Sequence, residues 1–465
     1  MPIARILAFL GLALGLVGCS LAPAYQRPLP PTPAAVDPKD PVPSELALPT
    51  LGIFFQEPRL KSLIATALTE NRDLRLAALN VEAARVSLGL AQADRYPNLE
   101  LSGTKTVAGG PERPTTRSYD LGLMTVFEAD FFGRLKNLSE AAFQRYLGAA
   151  EAARAARLSL IGQVAAAYLE TRLSAEELDL ANRTLNNWRS YLAFMENRLV
   201  AGQSQLLDLE MARSQVARAE ASLAAAETVL SQAENNLALL VGSWAAKDRP
   251  DPWALAKWPR PNLPANVAST ALLKRPDILE AERNLMASHA DIGAARAAFF
   301  PSLSLTGELG YMSGQLDTLV ASNSAGWSFV PRLTLPIFAG GRNVRNLELA
   351  WVRRSQAVAA YEKTIQVAFT EVALTLAARP KLAQEVAAQT NYLKAQRRVV
   401  ELAANRYQGG AASYLDVLAA QRDFYEAEMA ALRARRAEIL NDIQLYLALG
   451  GGVEDDFSLN PAGGN

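Results

Sequence analysis

Apolar positions along this chain change period in a fixed order, and the order occurs twice. Leu178, Ala181, Leu185, Trp188, Leu192, Met195 and Leu199 recur every three or four residues. The next segment keeps that spacing through Leu209, Ala212, Val216, Ala219, Leu223, Ala226, Leu230, Ala233, Leu237 and Leu240. Such stripes predict two helices packed lengthwise. Between Arg134 and Leu199 there is no proline and little glycine, so one helix would be about 100 Å long at 1.5 Å per residue. That exceeds an ordinary globular core. The pair is predicted to project as an antiparallel hairpin turning at Ala201-Gly202-Gln203. A second hairpin turns at Gln408-Gly409-Gly410-Ala411. Its ascending helix carries Pro380 where the first has Arg172, and a break is expected there, because an internal proline loses a hydrogen bond and clashes with the preceding turn.

Upstream of each hairpin the period falls to two. Leu99, Leu101 and Val107 alternate with Glu100, Ser102, Thr104 and Thr106; Tyr119, Leu121, Leu123 and Phe127 mark a second run. Leu303, Leu305, Leu309 and Tyr311, then Trp327, Phe329, Leu333 and Leu335, mark two more. Each run is about ten residues, enough for a tilted strand to cross a bilayer. A soluble hairpin with one wet face would alternate in the same way. Four strands cannot close a barrel, and edges left open in lipid would leave backbone amides unpaired at several kcal/mol each. Membrane strands would therefore require oligomerisation. Two copies supply eight strands and three supply twelve, and larger barrels can leave a lumen.

The duplication holds residue by residue. An offset of 204 carries Asp73, Asn80, Gly89, Pro97 and Gly103 onto Asp277, Asn284, Gly293, Pro301 and Gly307. After a four-residue insertion the offset becomes 208. Gly133-Arg134, Asn197-Arg198, Leu207-Asp208 and Gly242 then meet Gly341-Arg342, Asn405-Arg406, Leu415-Asp416 and Gly450. A repeated plan of this kind places function in what the two halves build together.

Lys+Arg and Asp+Glu balance at 47 each, which argues against a broad nucleic-acid surface. The only histidine, His289, falls in a predicted helix and is matched by Arg85 in the other half. With no clustered metal ligands, nucleophile elbow or phosphate-cradling loop, the chain does not read as an enzyme. At the N-terminus Arg5 precedes an apolar run from Ile6 to Val17, the pattern of a secretory signal. Leu16-Val17-Gly18-Cys19 resembles the bacterial lipobox, and Cys19 is the only cysteine. Lipidation by diacylglycerol and palmitate gives that lone thiol a role. Ser20 resembles the sorting context for the outer membrane. Nine prolines in residues 20–50 predict an extended tether. The organisation expected is a signal peptide over 1–18, lipidated Cys19 with its tether over 19–50, a first repeat over 51–243, a Pro/Trp-rich linker over 244–264, a second repeat over 265–450 and a tail over 451–465.

Several segments together resemble the TolC/OprM family of outer-membrane efflux factors, most closely its lipoprotein branch. They are Cys19-Ser20-Leu21-Ala22-Pro23 with Tyr25, Arg275-Pro276-Asp277-Ile278, Phe299-Phe300-Pro301-Ser302-Leu303-Ser304-Leu305, Leu335-Pro336-Ile337-Phe338 and Tyr414-Leu415-Asp416-Val417-Leu418. The resemblance implies a mainly α protein with a membrane β-barrel: a homotrimer with a twelve-stranded barrel continuous with a twelve-helix tunnel. It implies a passive exit duct for small molecules, gated at the periplasmic tip. Its partners would be a periplasmic adaptor and a proton-driven inner-membrane pump, with no cofactor beyond the lipid. The alternative is the duct of an ATP-driven type I protein secretion system.

By the same resemblance Asp416, with Leu415, Leu418 and Asp423, would form the gate; the alternative for Asp416 is a helix N-terminal residue favoured by the dipole. Tyr407 and Asp208 would bond to each other as a closed-state lock, or Tyr407 is a seam aromatic. The family's second gate carboxylate and its lock arginine are replaced by Ala419 and Ala412. Gly202, Gln203, Gly409, Gly410 and Ala411 would dock the adaptor, or are helix stops.

Overall fold

The computed structural model describes residues 20–36, 48–244 and 254–451. The signal segment, Cys19, the centre of the linker and all of the tail beyond Gly451 lie outside the described residues. In chain order the elements are α1 (Leu51–Phe54), α2 (Pro58–Glu70), α3 (Arg72–Ala93), β1 (Asn98–Gly110), β2 (Arg113–Ala129), α4 (Arg134–Val200) and α5 (Leu206–Val241). There follow α6 (Ser269–Leu272), α7 (Pro276–Ala297), β3 (Ser302–Ser313), β4 (Ala325–Thr334), α8 (Arg342–Gln408) and α9 (Tyr414–Ala448). Both long ascending helices contain 67 residues. The chain forms two compact units, and each takes matching pieces from both repeats.

The first unit contains the sheet, with strand order β1-β2-β3-β4 and every neighbour antiparallel. Register places Leu99, Leu101, Leu121, Leu123, Leu305, Leu309, Trp327, Phe329 and Leu333 on one face, and Glu100, Ser102, Thr104, Thr306, Glu308, Ser328 and Thr334 on the other. Every residue of β1 and β4 is exposed. A sheet in water needs one face covered; here the apolar face is bare, with Leu99 71% and Trp327 79% exposed. Such a face calls for an apolar medium.

In the same unit residues 20–30 of the proline-rich segment are extended, and they form a strap and not a free tether. Ser20 Oγ donates to Asn137 Oδ1 at 2.7 Å, and Arg296 Nη1 donates to the Leu21 carbonyl at 2.9 Å. Tyr25 meets His289 edge-on at 5.5 Å. Arg27 forks onto the buried Glu282 at 2.6 and 2.7 Å, and Tyr25 Oη donates to the same carboxylate at 2.8 Å. These contacts run antiparallel to α7. Gly293 leaves room for the crossing: a Cβ there would lie 2.6 Å from Asn137 Nδ2 and 2.8 Å from Ala22 N, whereas its counterpart Gly89 faces open space.

The second unit contains most of the helical hairpins. All residues of both predicted stripes are buried or half-buried, and Leu185, Trp188 and Ala219 form one of their joints. Short alanines opposite large side chains let α4 and α5 approach along their length. Pro380 does not break α8, which continues from Arg342 to Gln408. Arg379, the residue before it, donates to Asp442 and to the carbonyls of Leu263 and Pro261, each at 3.0 Å, and Asn441 Nδ2 donates to the Thr375 carbonyl at 3.1 Å. These bonds hold the turn of the helix that precedes the proline and act against the roughly 3 kcal/mol it costs. A cavity of about 790 Å³ adjoins Pro380.

Helix stops repeat with the duplication. Gly242 and Gly450 both have positive φ, 74° and 96°. Asn71 Nδ2 donates to the Leu240 carbonyl and the equivalent Arg275 Nη1 to the Ala448 carbonyl, at 2.8 and 2.7 Å. The two stops differ in space. A Cβ on Gly242 would lie 2.5 Å from the Glu70 carbonyl oxygen, whereas one on Gly450 meets only Arg275 Cγ at 3.8 Å. Gly450→Ala should therefore cost about 1–2 kcal/mol for the left-handed backbone, and Gly242→Ala distinctly more. Thermal unfolding in detergent, followed by circular dichroism, should show the larger drop for Gly242→Ala.

Candidate functional site

Both hairpin tips, within the second unit, are built by one rule. At the first, Gly202 N donates to the Leu199 carbonyl at 2.9 Å and Gln203 N to the Arg198 carbonyl at 2.8 Å. At the second, Gly410 N donates to Tyr407 and Ala411 N to Arg406, at 3.0 and 2.8 Å. This paired pattern with a left-handed glycine is a Schellman stop, and φ is 71° at Gly202 and 73° at Gly410. An arginine completes each: Arg198 Nη2 donates to the Gln203 carbonyl and Arg406 Nη2 to the Ala411 carbonyl, both at 3.2 Å. Gly409 has no positive φ. A Cβ there would meet only ordinary contacts at 3.5 Å, so the turn itself does not require a glycine at 409.

The descending helices start differently. Ser413 and Asp416 form a capping box: the Asp416 carboxylate accepts from Ser413 N and Oγ, each at 2.9 Å, while Ser413 Oγ accepts from Asp416 N at 3.4 Å. These donors hold the Asp416 carboxyl below its ordinary range, so it is ionised at neutral pH, and it is exposed. In this chain Asp416 therefore performs the capping expected of a helix N-terminal carboxylate. Leu415 beside it is 59% exposed. Leu418 packs inward against the Leu185–Trp188–Ala219 joint. Asp423 pairs with the adjacent Arg422 at 2.8 Å.

The expected Tyr407–Asp208 bond is replaced by two other pairings. Tyr407 Oη accepts from Arg198 Nη1 at 3.3 Å and points its proton toward Met195 Sδ at 3.9 Å. The Arg198 guanidinium also lies 5.6 Å from the Tyr407 ring centroid. Asp208 instead accepts from Ser204 Oγ at 3.4 Å. The reason is reach: Arg198, one turn before its own helix stop, brings a long cationic fork to the phenol, while Asp208 is engaged at the start of α5. Tyr407 is also a seam residue, packing on the cluster of Met195, Leu209, Ala212, Tyr414 and Val417. Tyr191 and Tyr414 stack nearby at 4.6 Å with 6° between their planes. Arg198, Tyr191 and Ser413 were not singled out from sequence, although Asn197-Arg198 and its repeat Asn405-Arg406 were visible as a pair.

Comparison with known proteins follows the same duplication. The family model described as outer membrane efflux protein matches twice, over residues 63–243 and 267–451. The chain belongs to the outer membrane efflux protein family. It is 42% identical to the cation efflux system protein CusC of Escherichia coli O6:H1, over 95% of this chain and 97% of that one. It is 40% identical to the solvent efflux pump outer membrane protein SrpC of Pseudomonas putida, over 94% and 96%. A crystal structure of CusC superposes with a TM-score of 0.86 at 42% identity, over 93% of this chain and all of that one. The chain is thus an outer-membrane efflux channel, and its sheet and helical hairpins are the parts of that fold.

Arg198 is tied to Tyr407, whereas the position equivalent to Tyr407 for Arg406 is the apolar Leu199, which has no side-chain acceptor. Arg198→Ala should loosen the first tip from the second, and Arg406→Ala should not. Spin labels at Gln203 and Ala411 report this by pulsed dipolar spectroscopy. The distance distribution should broaden only in Arg198→Ala; equal distributions in both variants would remove the tie.

Proposed function

We propose that three copies of this chain form one passive exit duct, closed at rest at the hairpin tips and joined there by a periplasmic adaptor and a proton-driven inner-membrane pump. The observation that carries this reading is the sheet: one apolar face, one polar face and two open edges. Closure into a barrel would turn the apolar face to lipid, the polar face to water and leave no edge. Cys19 would carry the lipid anchor, just ahead of the strap that begins at Ser20.

In this reading three copies of Asp416, exposed and ionised, ring the tip beside Leu415, with Asp423 further along the helix; a charge ring of this kind favours cations and narrows the pore. Leu418 supports the ring from behind. Arg198 and Tyr407 hold the closed state where Asp208 was expected. Gly202, Gln203, Gly409, Gly410 and Ala411 present two low, bulk-free turns to the adaptor. The glycine at 409, which the turn does not need, supports a surface kept small for a partner. Relatives are named for cation and solvent efflux, which fits a duct whose cargo is chosen by the pump. Drugs and other small molecules fall in the same class.

Gly409→Trp adds bulk without straining the backbone and tests the docking surface. Photo-crosslinkers at Gln203 and Ala411 in native envelopes should capture a periplasmic adaptor, and Gly409→Trp should lose most of that capture while its assembly state is unchanged. Capture of an adaptor from a protein exporter would move the assignment to type I secretion. Undiminished capture in Gly409→Trp would remove the glycine turn from the docking surface.

A further inference from the structure

The β1–β2 ladder sorts its charges by face. From Asn98↔Val126 to Ala108↔Thr116 the register pairs odd-numbered residues with odd and even with even. Its two carboxylates, Glu100 and Asp120, lie on the polar face, while its two cations, Lys105 and Arg117, lie on the apolar face. Water on both sides would sort nothing by sign. The two cations are diagonal neighbours, because Lys105 pairs with Tyr119 and Val107 with Arg117. Such positions are about 7–8 Å apart, within reach of one another for long side chains. Both are exposed. Among the described residues neither has a carboxylate partner, and Lys105 Nζ lies 5.5 Å from the Tyr119 ring centroid.

Height gives the pair a setting. Read along the apolar face, β2 presents Phe127, Thr125, Leu123, Leu121, Tyr119 and then Arg117. Ten residues from Phe127 to Arg117 span about 34 Å of strand, or roughly 26 Å of height at a 40° tilt. The lipid-facing band of an outer-membrane barrel is about 25 Å tall and ends in aromatic residues. Arg117 therefore stands just past the band, with Tyr119 at its rim. This is the outer end, since α3 and α4 join the two strands at the other. The duplication shows that the fold itself does not ask for charge here. Offsets of 204 and 208 carry Lys105 onto Leu309 and Arg117 onto Ala325.

We propose that Lys105 and Arg117 bind a phosphate of a phosphorylated glycolipid in the outer leaflet, with Tyr119 packed beneath the headgroup. Arg117 offers a planar fork to the phosphate oxygens and Lys105 a compact point charge. Basic clusters at a membrane surface select anionic headgroups in this way, and in a Gram-negative outer leaflet the phosphates belong to glycolipid. The carboxylates on the opposite face stay clear of the bound anion. This assignment rests on the apolar face of the sheet meeting lipid.

Native mass spectrometry of the full-length protein tests the site with three probes: bisphosphorylated lipid A, its dephosphorylated form and phosphatidylglycerol. The protein should retain the bisphosphorylated form best. Lys105→Gln combined with Arg117→Gln should weaken that binding roughly 30-fold, the loss of two interfacial cations, without changing the oligomeric mass. Arg332→Gln, on the polar face, should bind as the unsubstituted protein does. Undiminished binding in the double variant, or equal retention of the dephosphorylated form, would overturn the phosphate site and leave the barrel standing. Phosphatidylglycerol retained equally well would overturn the choice of glycolipid. Loss in Arg332→Gln but not in the double variant would put the polar face toward lipid and overturn the barrel reading itself.

Discussion

Along the outer sides of β1 and β4 the backbone groups have no strand to bond within the described chain, and the sheet they bound is apolar on one face. In water the bare apolar face is costly; in lipid the open edges are, at several kcal/mol for each unpaired amide or carbonyl. Only closure satisfies both terms. That requirement fixes what a single chain can be: a segment of a wall. It also gives the polar face a purpose, since Glu100, Ser102, Thr104, Glu308 and Thr334 share a surface that closure would turn toward water.

Long helices follow from the same economy of form. Each 67-residue ascending helix passes through both compact units. Isolated helices of that length are held by packing and not by propensity, and the alternating large and alanine stripes supply the packing. The proline in α8 shows how strong that support is. Its helix continues while Arg379 and Asn441 anchor the turn before it, so a local rule gives way to tertiary bonds that the local sequence does not contain.

Departures from the duplication are where the chain becomes specific. One repeat has the strap along its short helix, held by Glu282 and admitted by Gly293; in the other, Gly89 faces open space. One tip arginine reaches a tyrosine, while its twin closes only its own turn. Ser413 and Asp416 make a complete, reciprocal capping box, whereas Ser204 and Asp208 share a single bond at 3.4 Å. Two identical halves would make identical contacts, but these differences give each half of the chain its own.

The sequence alone determined the elements, because periodicity is a local property: strand runs from alternation, helical stripes from three-and-four spacing, tips from glycine and the twofold plan from self-similarity. The offset of 208 alone pairs Gly242 with Gly450 and Arg198 with Arg406. Tertiary structure decided which partner each polar group takes. Tyr407 bonds Arg198 and not Asp208, Asp416 is engaged by Ser413, Leu418 turns inward, and the proline-rich segment binds α7. Those choices depend on side-chain reach between residues as much as 275 positions apart, as for Arg296 and Leu21. No window along the chain records such distances, because a hydrogen bond is decided by ångströms between atoms that folding alone brings together.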